Sequence, residues 1–111
     1  LMINYTLTPT NLVNYPHYNG EDDVVFRVVW TYKATDGEYT SAFSGQTDLE
    51  YHSGDPFTPY ADLTEEQVVE WVLEAWGAGK TAEYQAQLDG MIDNQRNPPV
   101  VVLPLPWSIN T

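Results

Sequence analysis

Two runs of alternating hydrophobic and polar residues, Val24–Lys33 and Tyr39–Leu49, flank an Asp-Gly pair at 36–37. Alternation with period two places one set of side chains on a buried face, and Asp-Gly between such runs is the strongest short-range hairpin signal. With Asp36 and Gly37 as the two loop residues, Thr35 pairs with Glu38, Trp30 faces Phe43 and Val28 faces Gly45. Phe26, Tyr32, Tyr39 and Leu49 share that face, and Arg27, Thr31, Lys33, Thr40, Ser44 and Gln46 take the wet one. Ile3–Leu7 also alternates and adds a strand, followed by a turn-rich stretch, Asn14–Gly20. The proline-rich run His52–Tyr60 cannot sit in a central strand and serves as a connection.

The period then changes from two to 3.6. Thr64 is a helix N-cap, Gln67 completes a capping box, and Leu63 with Val68 forms a hydrophobic staple. Val69, Val72, Leu73 and Trp76 recur at helical spacing as one apolar stripe. Gly77 and Gly79 read as a C-cap and turn, and Thr81 as the N-cap of a second helix over Ala82–Asn94, with Tyr84, Leu88, Met91 and Ile92 on its apolar side. Gly90 weakens that helix by about 1 kcal/mol relative to alanine. The pattern predicts an α+β fold: an antiparallel β-meander of about three strands, packed on one face by two C-terminal helices. Residues 1–96 form this single domain, and 97–111 an extended proline-rich C-terminal arm.

The arm, Asn97-Pro-Pro-Val-Val-Val-Leu-Pro-Leu-Pro-Trp107, contains four prolines, which bias the backbone toward polyproline II at about 3.1 Å per residue, so that it reaches roughly 30 Å. A solvated linker would be polar, whereas this one is apolar. It either lies back on its own domain or docks in a groove of another subunit. In both cases Val100, Val102, Leu103, Leu105 and Trp107 are the anchors, and the arm is the expected partner-binding element.

The segment Gly77-Ala-Gly-Lys-Thr81 ends like a phosphate-binding loop. That loop requires glycine five residues before the Gly-Lys-Thr glycine, and Glu74 stands there, placing a carboxylate where phosphates would lie. The loop should also follow a strand, and here it follows a helix. An interhelical linker is the better reading.

Charge narrows the function classes. Sixteen acidic against four basic side chains give a formal charge of −12, which disfavours nucleic acid and anionic membrane surfaces as partners. The chain has no cysteine, hence no disulfide, thiol nucleophile or thiolate metal ligand. Its longest apolar runs are too short for a membrane span. His17 and His52 lie in turn-rich loops without metal-ligand spacing. Glu21, Asp22, Asp23, Asp48, Glu50 and Asp55 offer oxygen ligands but no EF-hand spacing, and read as a solvated acidic surface. No Gly-x-Ser-x-Gly elbow occurs, and nothing selects a carboxylate pair for glycoside chemistry. No cofactor, metal or catalytic residue is expected.

Three groups of segments carry a resemblance: Val29-Val-Trp-Thr-Tyr with Asp36-Gly-Glu-Tyr; Pro56-Phe-Thr-Pro-Tyr with Leu63-Thr-Glu-Glu-Gln-Val-Val-Glu-Trp-Val72; and Asn97-Pro-Pro-Val-Val with Pro104-Leu-Pro-Trp107. Together they resemble small proteins of unassigned role encoded in tailed-bacteriophage genomes, which tend to end at the Pro-Leu-Pro-Trp, a pattern from which the further Ser108-Ile-Asn-Thr111 departs. The resemblance implies a phage setting and carries over no catalytic residue. Within that setting the expectation is a virion structural protein, most concretely a capsid decoration or cement subunit whose acidic body faces solvent while its arm grips other virion proteins or a further copy. The alternatives are a tail or fibre-base adaptor using the same arm, and an acidic protein that binds a host factor during infection.

Overall fold

The structure is a computed structural model, describing residues 2–50 and 58–107. Three strands, β1 (Asn4–Tyr18), β2 (Glu21–Thr35) and β3 (Thr40–Asp48), form an antiparallel sheet in the order β1-β2-β3. A short 3-10 turn, Tyr60–Asp62, lies against β2 and leads to the helix α1 (Glu65–Arg96). The class is α+β.

The helical segment of 32 residues is interrupted by a non-helical kink at Gly77 (φ 71°, ψ 175°), so its two halves meet at that one residue rather than through a Gly77–Thr81 linker. Only glycine occupies that backbone region without strain. Thr81 is therefore no N-cap: its hydroxyl donates to the Gly77 carbonyl four residues back (2.8 Å), inside the helix. Thr64 does cap α1, accepting from Gln67 N–H at 3.2 Å. The Gln67 side chain reaches Thr58 instead of closing the box.

β1 is longer than Ile3–Leu7, running through the stretch read as turn-rich. Its turn is Asn19-Gly20, with φ of 52° and 84°, and Tyr18 pairs with Glu21. Two successive positive φ angles make a type I′ hairpin, whose twist matches that of the strands. Pro9 and Pro16 are tolerated because β1 is an edge strand, and the register shifts between Pro9 and Asn11.

The β2–β3 register differs by two residues from the expected one. Thr35 pairs with Thr40, Tyr32 with Phe43 and Trp30 with Gly45. A two-residue type I′ loop needs positive φ at both positions. Gly37 has it (96°) and Asp36 does not. Asp36 instead accepts from the N–H groups of Glu38 (2.9 Å) and Tyr39 (2.7 Å), which closes a four-residue turn. Gly45 also leaves room for the Trp30 indole, which a side chain there would strike. Because a two-residue slip preserves the side-chain parity, the two faces keep their expected composition.

The core lies between one sheet face and α1. Leu7, Val28, Trp30, Tyr32 and Ala34 meet Val68, Val72, Trp76, Leu88 and Ile92, all buried. The apolar stripe of the first helical half is thus Val68, Val72 and Trp76, with Val69 beside it. Leu73 is exposed, as is Met91 in the second half. Phe26 stacks on Tyr15 (centroids 4.2 Å apart) rather than joining this core. Hydrogen bonds fix the helix across all three strands: Tyr5 donates to Asp89 (2.6 Å), Gln85 to Tyr32 (3.1 Å) and Ser41 to the Leu88 carbonyl (2.9 Å).

Candidate interaction site

The end of α1 is where the arm begins, and several contacts hold that root. Asn97 N–H donates to the Asp93 carbonyl (2.8 Å), Gln95 Nε2 donates to the Thr40 carbonyl (2.7 Å), and the Arg96 guanidinium pairs with Asp36 and with Asp93. The Asp36 side chain is inaccessible to solvent. The N–H groups of Tyr39 and Glu38, followed by Arg96, stabilise its carboxylate and hold its pKa down at about 2, against an ordinary 3.8. The arm therefore leaves the body at a fixed point beside the β2–β3 turn.

From there the chain is non-helical and open. Val100 is 82%, Val102 96% and Trp107 70% exposed, and Leu103 and Leu105 are exposed as well. All five sequence-derived anchor residues thus stand on one solvent-facing segment. None joins the core. Lone apolar side chains on a surface are ordinary, whereas here the exposed apolar side chains are contiguous.

An open cleft of about 270 Å³ lies at the other end of β3, lined by Gln46, Thr47, Asp48, Ala75, Trp76, Lys80 and Tyr84. It sits over an aromatic cluster in which Trp76 is edge-on to Trp30 (5.0 Å) and to Tyr84 (4.8 Å). Thr47 Oγ1 accepts from both indoles, Trp30 Nε1 and Trp76 Nε1, each at 2.9 Å. Lys80 Nζ rests over the Tyr84 ring at 5.6 Å. Thr81 Oγ1 donates to the Gly77 carbonyl, and Lys80 is exposed at the rim of this cleft.

Three of the other candidates, His17, Asp22 and Asp48, pair locally. His17 Nδ1 lies 2.6 Å from Asp22, and Asp48 holds Arg27 at 2.6 Å. Among the described residues no group of three or more metal-ligating side chains occurs, and no helix is long and apolar enough to cross a membrane. His52 and Asp55 lie outside the described residues. The double acceptor Thr47 and the Asp36–Arg96 pair had no sequence signal. Asn19-Gly20 did have one, as a hairpin dipeptide.

A family model described as a domain of unknown function, DUF7936, matches residues 2–107. The chain belongs to the DUF7936 family. The match runs from β1 through the exposed arm to Trp107, so the arm is as much a part of the DUF7936 domain as the sheet and helix. No curated protein and no solved structure matches the chain.

Proposed function

We propose that this DUF7936 protein is a non-enzymatic virion structural subunit of a tailed phage, most concretely a capsid decoration protein that docks on a neighbouring virion protein through its C-terminal arm. One observation carries the reading: an uncharged, apolar, proline-stiffened segment stands in solvent at Val100, Val102 and Trp107 while its root is fixed by Arg96 and Gln95. Prolines reduce the conformational freedom lost on docking, and a tryptophan near the tip supplies the large aromatic contact that dominates interfaces. The strongly acidic remainder of the chain keeps such a subunit soluble before assembly. The phage setting rests on the sequence resemblance.

The test is rebinding of purified protein to particles that lack it. Deletion of 98–107 abolishes binding while the far-UV circular dichroism stays that of the folded domain. Loss of the folded spectrum would make the arm part of the core. Undiminished binding by a folded deletion variant would remove it from the interface.

A further inference from the structure

The two edges of the sheet are not alike. β1 is blunted as natural edge strands are, by Pro9 and Pro16, which lack N–H groups, and by its register shift at Thr10. β3 has no proline, no lysine and no bulge, and its register with β2 is continuous over all nine residues. Its outward groups follow from one bond. Leu49 N–H donates to the Phe26 carbonyl (2.8 Å), so 26 and 49 are a hydrogen-bonded pair. Alternation then turns odd-numbered residues of β3 toward β2 and even-numbered ones away. The Thr40 carbonyl agrees, since it faces outward to Gln95. Beyond it, the backbone groups of Ala42, Ser44 and Gln46 form an open ladder that meets no donor or acceptor among the described residues.

We infer that this ladder is the receptor for the arm of a second copy of the chain, with Val100–Leu103 adding as a fourth strand on β3. The inference rests on the arm being the docking element. Val-Val-Val-Leu is the arm's proline-free run, rich in β-branched residues suited to a pleated edge. Prolines on both sides, at 98–99 and 104, limit the added strand to about that length. The dimensions also agree: the ten steps from Asn97 to Trp107 span about 30 Å at about 3.1 Å each, and the nine residues of β3 cover about 30 Å at about 3.4 Å each. An arm running in the direction of β3 thus brings Trp107 to the cleft beside Trp76 and Tyr84, an aromatic surface of the kind that receives proline-rich segments.

Charge permits the pairing. Neither 97–107 nor 40–47 contains a charged residue, in a chain of formal charge −12. Two such bodies repel one another, so association through these neutral surfaces strengthens as salt screens the remainder. The chain's own arm does not occupy the ladder, with Val102 96% exposed.

Sedimentation velocity over a range of protein concentrations, at low and high salt, tests this together with amide hydrogen exchange. The wild type self-associates, more at high salt, and the amides of Ala42, Ser44 and Gln46 are protected in the associated species. Val101→Pro with Val102→Pro removes one of the two inward N–H donors of the added strand in either phase while keeping the arm apolar, and lies outside the folded core. This variant is monomeric with those amides unprotected. Ser44→Pro, which removes an outward N–H and no ladder bond, has the same effect. A wild type that is monomeric at every concentration, or association that survives the arm prolines, overturns the inference. Arm-dependent protection in a monomer overturns it too, by making the occupant the chain's own arm. Particle binding separates this from the broader reading: if the arm-proline variant still docks on particles while the wild type never self-associates, the strand pairing fails and the virion reading stands.

Discussion

Replacing Gly45 by alanine tests the observed sheet register. A Cβ built on Gly45 lies 2.9 Å from both Cη2 and Cζ2 of Trp30, closer than such contacts occur in folded proteins. The indole has nowhere to retreat. Trp30 is 1% exposed, its ring centroid lies 5.0 Å from that of Trp76 and 5.7 Å from those of Phe43 and Tyr84, and its Nε1 is tied to Thr47. Overpacking of this kind costs about 1–3 kcal/mol, offset by about 0.5–1 kcal/mol from removing a glycine inside a strand. The net loss of about 1–2 kcal/mol corresponds to a fall in Tm of about 5–15 °C for a domain of this size. The assay is thermal unfolding of Gly45→Ala alone and combined with Trp30→Phe, which deletes the clashing ring atoms. In the Trp30→Phe background the alanine is neutral or stabilising, and the difference between backgrounds is the coupling. Equal cost in both backgrounds, or a Gly45→Ala variant as stable as the parent, would refute the pairing of Trp30 with Gly45.

Further outcomes follow from the same structure. Thr47→Val removes the acceptor shared by two indole N–H groups, and urea unfolding will show a loss of about 2–4 kcal/mol; a loss under 0.5 kcal/mol would mean the indoles find other partners. Gly77→Ala forces a side chain into a backbone region reserved for glycine and costs about 1–3 kcal/mol by the same assay, whereas a more stable variant would show that α1 prefers to be straight. The bond to Asp89, then burial, pushes the Tyr5 hydroxyl up to about 12 from an ordinary 10. A raised pKa favours the folded state below pH 10, and that contribution is lost as pH rises from 10 to 12; Tyr5→Phe flattens this part of the stability profile. The lowered pKa of Asp36 acts oppositely, with stability present above pH 3.8 and lost as pH falls toward about 2. Asp36→Asn removes that acid dependence, and an unchanged acid limb would contradict the role given to Asp36.

The layered α+β arrangement was legible because hydrophobic period reports directly which side chains face a core. Alternation in β2 and β3 separated the two faces correctly even though the register was off by two, since parity survives an even slip. Register itself was not legible. It depends on the sign of φ at Asp36, which is set by the turn's own N–H groups and by Arg96, sixty residues away. The break at Gly77 was legible as a helix end, but its shortness was not: the helix resumes directly after Gly77 because Trp76 and Leu88 on either side are buried against one sheet. Asn14–Gly20 read as turn-rich, and its Pro16 fits a strand because β1 lies at the sheet edge. The arm stood out because it combines prolines with apolar residues. What lies opposite it could not be read from the sequence, because an unblunted edge at Ala42, Ser44 and Gln46 exists only once the strand order is known.

In the proposed role the protein is a component of the virion that docks through its arm. Mass spectrometry of purified particles of the encoding phage, with this chain counted against the major capsid protein, tests it most directly. Hundreds of copies per particle are expected, as a decoration subunit requires. Absence from the particle would contradict it.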